Sequence, residues 1–224
     1  MTATGTRGAP PAGRPEDAYD AGPFVPPGAD LAALREAAAG CRGCPLHEHA
    51  TQTVFGTGDA DARVVLVGEQ PGDQEDRRGQ PFVGPAGRVL MQALDEAGID
   101  PTDTYVTNAV KHFKYVHVAG RGKRRIHRAP SLREMTACAP WLNAELAVAD
   151  PEVLVALGAT AGKALLGPSY RVTRQRGTLL ERPDSPPVLG TLHPSAVLRA
   201  DDREETYAGL VADLRVAADV LAAA

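Results

Sequence analysis

A carboxylate, an aromatic ring and an imidazole each stand in a short Gly- or Pro-marked segment of this chain, and an amide stands in a segment with neither. The carboxylate is Glu69, in Gly68-Glu69-Gln70-Pro71-Gly72-Asp73. Glycines on both sides let the backbone turn tightly and approach a ligand closely. A carboxylate between them can act as a base or steady a cation, and the same hexapeptide also suits a turn with a helix-capping acid. Phe82 lies in Gln80-Pro81-Phe82-Val83-Gly84-Pro85-Ala86-Gly87, just before a helical pattern. There it can stack on a planar base or staple the helix that follows. His193, in His193-Pro194-Ser195, can hydrogen-bond a leaving group as negative charge develops on it, or it can serve a turn.

The amide is Asn108, in Thr107-Asn108-Ala109-Val110-Lys111-His112. Its side chain presents a donor and an acceptor side by side. That pair matches the N3–H and O4 edge of uracil, whereas cytosine shows the opposite pattern. The alternative is an Asn that caps a turn. A further segment, Gly158-Ala159-Thr160-Ala161-Gly162-Lys163-Ala164, imitates a phosphate loop. It is one residue short of G-x-x-x-x-G-K-[ST], and Ala164 replaces the hydroxyl that would hold magnesium, so nucleotide hydrolysis is excluded.

Three cysteines are present, two of them close together in Cys41-Arg42-Gly43-Cys44-Pro45 and the third at Cys138. An odd count with one close pair argues against a disulfide framework and for a metal site or free thiols in a reducing compartment. The formal net charge is −4. Yet no acidic residue falls between Asp103 and Glu134, where Lys111, Lys114, Arg121, Lys123, Arg124, Arg125, Arg128 and Arg133 lie. A basic block inside an acidic chain is a plausible phosphate footprint, or a solvated surface loop.

Alternating strands and helices must position these groups. Strands are expected at Arg63–Val67, Thr104–Val110, Val153–Leu157 and Val188–Leu192, with a hairpin-like pair near Thr178–Glu181. Helices are expected at Leu31–Ala39 after Asp30, and at Gly84–Ala97, Ser131–Ala149, Thr160–Leu166 and Glu204–Ala223. The βαβα rhythm implies a three-layer α/β/α fold with a small parallel sheet covered on both faces. Ligands of such sheets bind beyond the carboxyl ends of the strands, and the Glu69, Asn108 and His193 motifs each follow one.

With 224 residues, 43% of them apolar, the chain suits one domain plus a tail. Residues 1–28, rich in Gly and Pro, are expected to be a disordered tail, and 29–224 the folded domain. No run approaches the roughly 20 apolar residues of a membrane span. The N-terminus has no signal-peptide pattern, so a cytoplasmic protein is expected. There is no internal repeat.

Taken together, GEQPG, PFVGPAG, TNAVK and HPS resemble the uracil-DNA glycosylase superfamily, closest to its iron–sulfur family-4 branch. The likeness runs from about Gly40 to Ala218. Lys123-Arg124-Arg125-Ile126-His127, inserted between TNAVKH and the third cysteine, resembles the KRRIH loop of the UdgX group, whose members bond covalently to the DNA sugar after uracil leaves. The resemblance implies that Glu69 supports catalysis and that Gln70 lines the pocket with Asp73 nearby. It implies that Phe82 stacks on uracil, Asn108 reads its edge and His193 steadies the departing base. It makes His127 the nucleophile, on a basic loop able to swing toward the sugar, with Arg125 holding that loop and Lys123 and Arg124 facing DNA. The implied partner is uracil-containing DNA, single- or double-stranded, bound by a monomer.

Family-4 proteins hold a four-iron cluster with four cysteines, and this chain departs from that pattern. Cys41, Cys44 and Cys138 match three of them, and His112 stands where the remaining cysteine would follow VK. Histidine can replace thiolate on iron, and a Cys₃His zinc site is also chemically sound. Spacing does not separate the two metals; the resemblance favours a 4Fe-4S cluster.

Overall fold

A computed structural model describes residues 19–117, 124–183 and 185–223. Its centre is a six-stranded sheet in the order β1-β3-β2-β6-β8-β7. The strands are β1 (Thr57–Gly58), β2 (Val64–Gly68), β3 (Thr104–Asn108), β6 (Val153–Leu157), β7 (Leu179–Arg182) and β8 (Ser185–Thr191). The four inner strands run parallel, and the short edges β1 and β7 run antiparallel to their neighbours. Every residue of β2, β3 and β6 is buried. That is why VVLVG and VLVAL read as continuous apolar runs: a parallel sheet is covered on both faces.

Alternate residues of those strands feed two separate cores, as the two-residue strand period requires. Val65, Val67, Tyr105, Leu154 and Ala156 pack with α1 (Leu31–Ala38), α4 (Leu132–Ala149) and α5 (Gly158–Leu166). Val64, Leu66, Val106, Val153 and Val155 pack with α3 (Pro85–Ala97), α7 (Pro194–Arg199) and α8 (Arg203–Ala223). The result is the expected three-layer α/β/α fold. Helix α3 connects β2 to β3 on one face, and α4 connects β3 to β6 on the other. The chain therefore switches face between the adjacent strands β2 and β6, which opens a crevice beyond their carboxyl ends.

The Asp30 side chain accepts the Ala33 N–H at the start of α1, as expected; Ser131, expected as the first residue of α4, is instead its cap and makes a capping box with Glu134. Elements too short or too polar to show periodicity were not anticipated. They are α2 (Asp73–Arg78), α6 (Val172–Gln175), α7, β1 and the antiparallel hairpin β4 (Tyr115–His117)–β5 (Arg125–His127).

The expected boundary at residue 28 falls too late. Ala21 is buried, and its N–H donates to the Ala137 carbonyl at 2.9 Å. Arg133 lies 3.9 Å from the centroid of the Tyr19 ring, and Tyr19, Phe24 and Val25 pack against the core. These few large side chains supply the burial that an average over 28 residues concealed. The rest of the expected tail, residues 1–18, lies outside the described residues. No helix among the described residues is long and apolar enough to cross a membrane.

Candidate active site

Beyond the carboxyl ends of the parallel strands lies a cavity of about 830 Å³. Glu69 follows β2, Asn108 ends β3, Gly158 follows β6 and His193 follows β8. All four line the cavity, as do Gln70, Asp73, Phe82 and His127. Residues named from sequence as far apart as 69 and 193 thus meet in one space.

Phe82 and Asn108 face each other across Gly68. A Cβ there would sit 2.3 Å from the Asn108 side-chain oxygen and 2.7 Å from the Phe82 ring, so only glycine leaves room for both. Phe82 has φ of 54°, the left-handed region that non-glycine residues seldom adopt. Glu75 of α2 steadies that loop, accepting the Gly84 N–H at 2.7 Å. The Phe82 ring lies 6.1 Å from the His193 ring with 30° between planes.

His193 accepts the Ser195 N–H on Nδ1 at 3.1 Å. Nδ1 therefore carries the lone pair and Nε2 carries the proton, so the ring is a donor toward the cavity. Burial brings its pKa down to about 4, against the opposing pull of Glu69. The neutral tautomer is thus the resting form at neutral pH.

His127 lies in a hairpin strand and not in an irregular loop. It ends β5, opposite Tyr115 of β4, and its Nε2 lies 3.2 Å from Glu69 Oε1. Gln70 clamps the base of this hairpin: Nε2 donates to the carbonyls of Lys114 and Arg128 at 3.1 Å each, and Oε1 accepts the Lys114 N–H at 3.2 Å. The amide that lines the cavity is therefore also the tie between β2 and the hairpin.

Arg125 is the second tie. It donates to Asp73 at 2.5 Å and to the fully buried Asp76 at 2.5 Å. Its guanidinium also lies 5.3 Å from the Phe113 ring centroid and 5.0 Å from that of Tyr115. Burial pushes the Asp73 carboxyl up, but Arg77 and Arg125 together bring it below the ordinary aspartate value. This arrangement suits the loop-holding role more than a phosphate contact. Arg124 is exposed, and Lys123 lies outside the described residues.

Glu69 is held at both oxygens. Oε1 faces His127, and Oε2 accepts the Thr160 hydroxyl. Burial raises its pKa, and the hydrogen bonds from His127 and Thr160 overcome that and hold the group below the usual glutamate value.

Lys111, counted in the basic block, is wholly buried. Its ammonium contacts Glu145 of α4 and donates to Thr107 Oγ1 at 2.8 Å and the Asn108 carbonyl at 2.6 Å. It braces the backbone of the Asn108 strand and is no part of a phosphate footprint. Charge counting missed this because a buried lysine and an exposed one are the same letter. Asp76, Glu145 and Thr160 were missed too; only contact reveals them.

The cysteines lie elsewhere, in the core beneath α1 and α4. Cys41 Sγ accepts the Trp141 indole N–H at 3.2 Å, and Cys138 Sγ accepts the Lys111 backbone N–H at 3.3 Å. The three thiols are close enough to influence one another electrostatically; burial above all raises Cys44 and takes Cys138 up to about 12. His112 is buried, its pKa brought down to about 4 by burial. Its Nε2 lies 3.0 Å from the Thr53 hydroxyl, which itself donates to the Ala38 carbonyl at 2.8 Å. That leaves Nδ1 with the lone pair a metal would need. Among the described residues, no three His, Cys, Asp or Glu side chains converge on one metal ion. Buried sulfurs accepting N–H bonds, with a buried imidazole lone pair on His112, have the chemistry of metal-thiolate ligands.

A parallel α/β sheet thus gathers acid, amide, aromatic and imidazole groups at its carboxyl edge, where such sheets bind their ligands. Comparison with known proteins narrows this. The family model described as the uracil DNA glycosylase superfamily matches residues 55–215. The Type-4 uracil-DNA glycosylase of Thermotoga maritima is 39% identical over 165 residues, 73% of this chain and 81% of that protein. The Type-4 uracil-DNA glycosylase of Pyrobaculum aerophilum is 34% identical over 177 residues, 76% of this chain and 85% of its own. A Type-5 uracil-DNA glycosylase of Thermus thermophilus shares 36% over 118 residues, 50% of this chain and 53% of its own. The chain belongs to the uracil DNA glycosylase superfamily.

Proposed function

We propose that this protein excises uracil from DNA and then becomes bonded to the exposed sugar through His127. The observation that carries the reading is the 3.2 Å approach of His127 Nε2 to Glu69 Oε1 at the cavity that Asn108, Phe82 and His193 also line. The relatives named above are named for uracil-DNA glycosylase activity, and the KRRIH segment supports the covalent variant.

Uracil enters flipped from its strand. Phe82 stacks on its face, and Asn108 donates to O4 and accepts from N3–H. As the C1′–N1 bond breaks, its electron pair stays on the base, and the Nε2–H of neutral His193 donates to the developing anion. Positive charge grows on the sugar, where ionised Glu69 stabilises it. A lone pair of the His127 ring then forms the bond to C1′. The ring is briefly cationic and Glu69 steadies it. Glu69 takes the ring's remaining N–H proton and passes it to solvent, leaving a neutral N-substituted imidazole, a poor leaving group, so the adduct persists and each molecule reacts once.

Cys41, Cys44 and Cys138, with His112 as the fourth ligand, would hold a 4Fe-4S cluster rather than zinc. Bound there, the group would serve structure, because these four residues belong to the loop after α1, to α4 and to the segment that follows Asn108. We assign the protein to the cytoplasm as a monomer acting on single- or double-stranded uracil-DNA.

Incubation with a uracil-containing oligonucleotide, followed by denaturing electrophoresis, tests the reading. A DNA–protein band that survives denaturation and stops at one equivalent supports it. Uracil release beyond one equivalent, without such a band, makes the protein a conventional turning-over glycosylase. Intact uracil-DNA contradicts both.

A further inference from the structure

The Gly158–Lys163 segment is no phosphate loop, yet it reaches the active site at two points. It follows β6, across the crevice from the end of β2. Gly158 has φ of +91°, and a Cβ there would lie 2.9 Å from the His193 Cβ. The start of α5 is therefore seated directly against His193. Two residues on, Thr160 lines the same cavity and donates its hydroxyl to Glu69 Oε2. Behind them Ala161 and Gly162 are buried, with Gly162 against the Tyr170 ring, so α5 offers Thr160 from a packed support.

We infer that Thr160 is a positioning residue for the excision, its hydroxyl locking the Glu69 carboxylate so that Oε1 is turned to His127 and the sugar. The inference rests on the function proposed above. A carboxylate can rotate about its last torsion at little cost. With Oε2 tied to Thr160, that rotation would break a charge-assisted hydrogen bond, and Oε1 alone remains to face the reacting atoms. The lone hydroxyl proton also favours the ionised carboxylate, which accepts it, over the protonated one. The other titratable groups acting on Glu69 are His127 of β5 and His193 ahead of α7. Neither holds Oε2, so neither substitutes for Thr160.

Thr160→Val keeps the shape and removes the donor; Thr160→Ser restores it. In single-turnover reactions with uracil-DNA, Thr160→Val should lower the rate by roughly 10- to 100-fold, the scale of one hydrogen bond to a charged group. DNA affinity should hold, the acid limb of the pH–rate profile should move to higher pH, and Thr160→Ser should reverse both changes. In a Glu69→Gln background the Thr160→Val effect should shrink, because the two act as a unit. A second readout needs no activity: the carbon-13 titration of the Glu69 carboxyl should rise in midpoint in Thr160→Val and return in Thr160→Ser. If wild type leaves uracil-DNA untouched, the proposed function fails while this titration still decides the Thr160–Glu69 lock. An unmoved Glu69 midpoint in folded Thr160→Val, or a wild-type rate and pH profile, would overturn the inference.

Discussion

Arg125 and Asp76 form an ion pair at 2.5 Å in which the carboxylate is wholly buried and the guanidinium side chain is 9% exposed. The pair joins the strand that carries His127 to the helix that follows the Glu69 loop. Asp76 also accepts the Thr51 N–H at 2.9 Å, which does not neutralise it. Arg125→Met should therefore destabilise the fold by on the order of 3 kcal/mol, since breaking a buried pair strands the other charge. Urea unfolding checks this. Adduct formation should fall further than the remaining folded fraction explains, because the hairpin loses its tie. An unchanged unfolding midpoint would mean that Asp76 is compensated elsewhere.

A second buried pair stands behind the base-reading strand. Glu145 receives Lys111, the Tyr105 hydroxyl at 2.9 Å, the Thr107 hydroxyl at 3.0 Å and the Gly56 N–H at 3.0 Å. Lys111→Met should cost roughly 3–5 kcal/mol by leaving Glu145 charged and unpaired. Adding Glu145→Gln should recover part of that loss, since the amide still serves some of these donors without a net charge. Denaturant melts of the single and double variants test the coupling; simple additivity would contradict it.

The pH dependence of stability has a sign set by His193. Its folded pKa, about 4, lies below the free value of about 6.5. Between these two values the unfolded chain takes up a proton that the folded chain refuses. Stability is therefore full above about pH 6.5 and declines as pH falls toward 4. Urea midpoints measured from pH 7.5 to 5 should fall, and His193→Asn should flatten the curve. A slope unchanged in His193→Asn would remove His193 from this account.

The thiols make a separate prediction. Protein purified without oxygen should be brown and contain iron, and Cys41→Ala, Cys44→Ala or Cys138→Ala should each lose it. His112→Cys should keep iron, thiolate being the usual ligand. Metal analysis and visible absorbance decide the matter. Zinc at one equivalent in colourless protein would contradict the cluster.

Much of the fold was legible because its inner strands are buried on both faces. Val64–Gly68 and Val153–Leu157 betray themselves as apolar runs, and Asp30 announces its helix. The hairpin that carries His127 was not legible. Arg125-Ile126-His127 is three residues long, and its basic flanks read as a mobile loop. Helix α2, Asp73–Arg78, has no apolar stripe at all. The cavity-lining residues of the motifs could be named because each motif follows a strand, and chain topology then gathers strand ends. Their supports could not. Thr160, Asp76 and Glu145 act through contacts between residues 91, 49 and 34 positions apart, a relation no local pattern encodes.

The most direct test of the covalent reading is to digest the DNA–protein product with trypsin and nuclease and sequence the modified peptide by mass spectrometry. Cleavage after Arg125 and Arg128 isolates Ile126-His127-Arg128. The account predicts that this peptide carries the mass of a deoxyribose phosphate without its base, attached to His127, and that His127→Ala yields no adduct while still folding and binding DNA. Sugar mass on any other residue, or a full-strength adduct from His127→Ala, would contradict it.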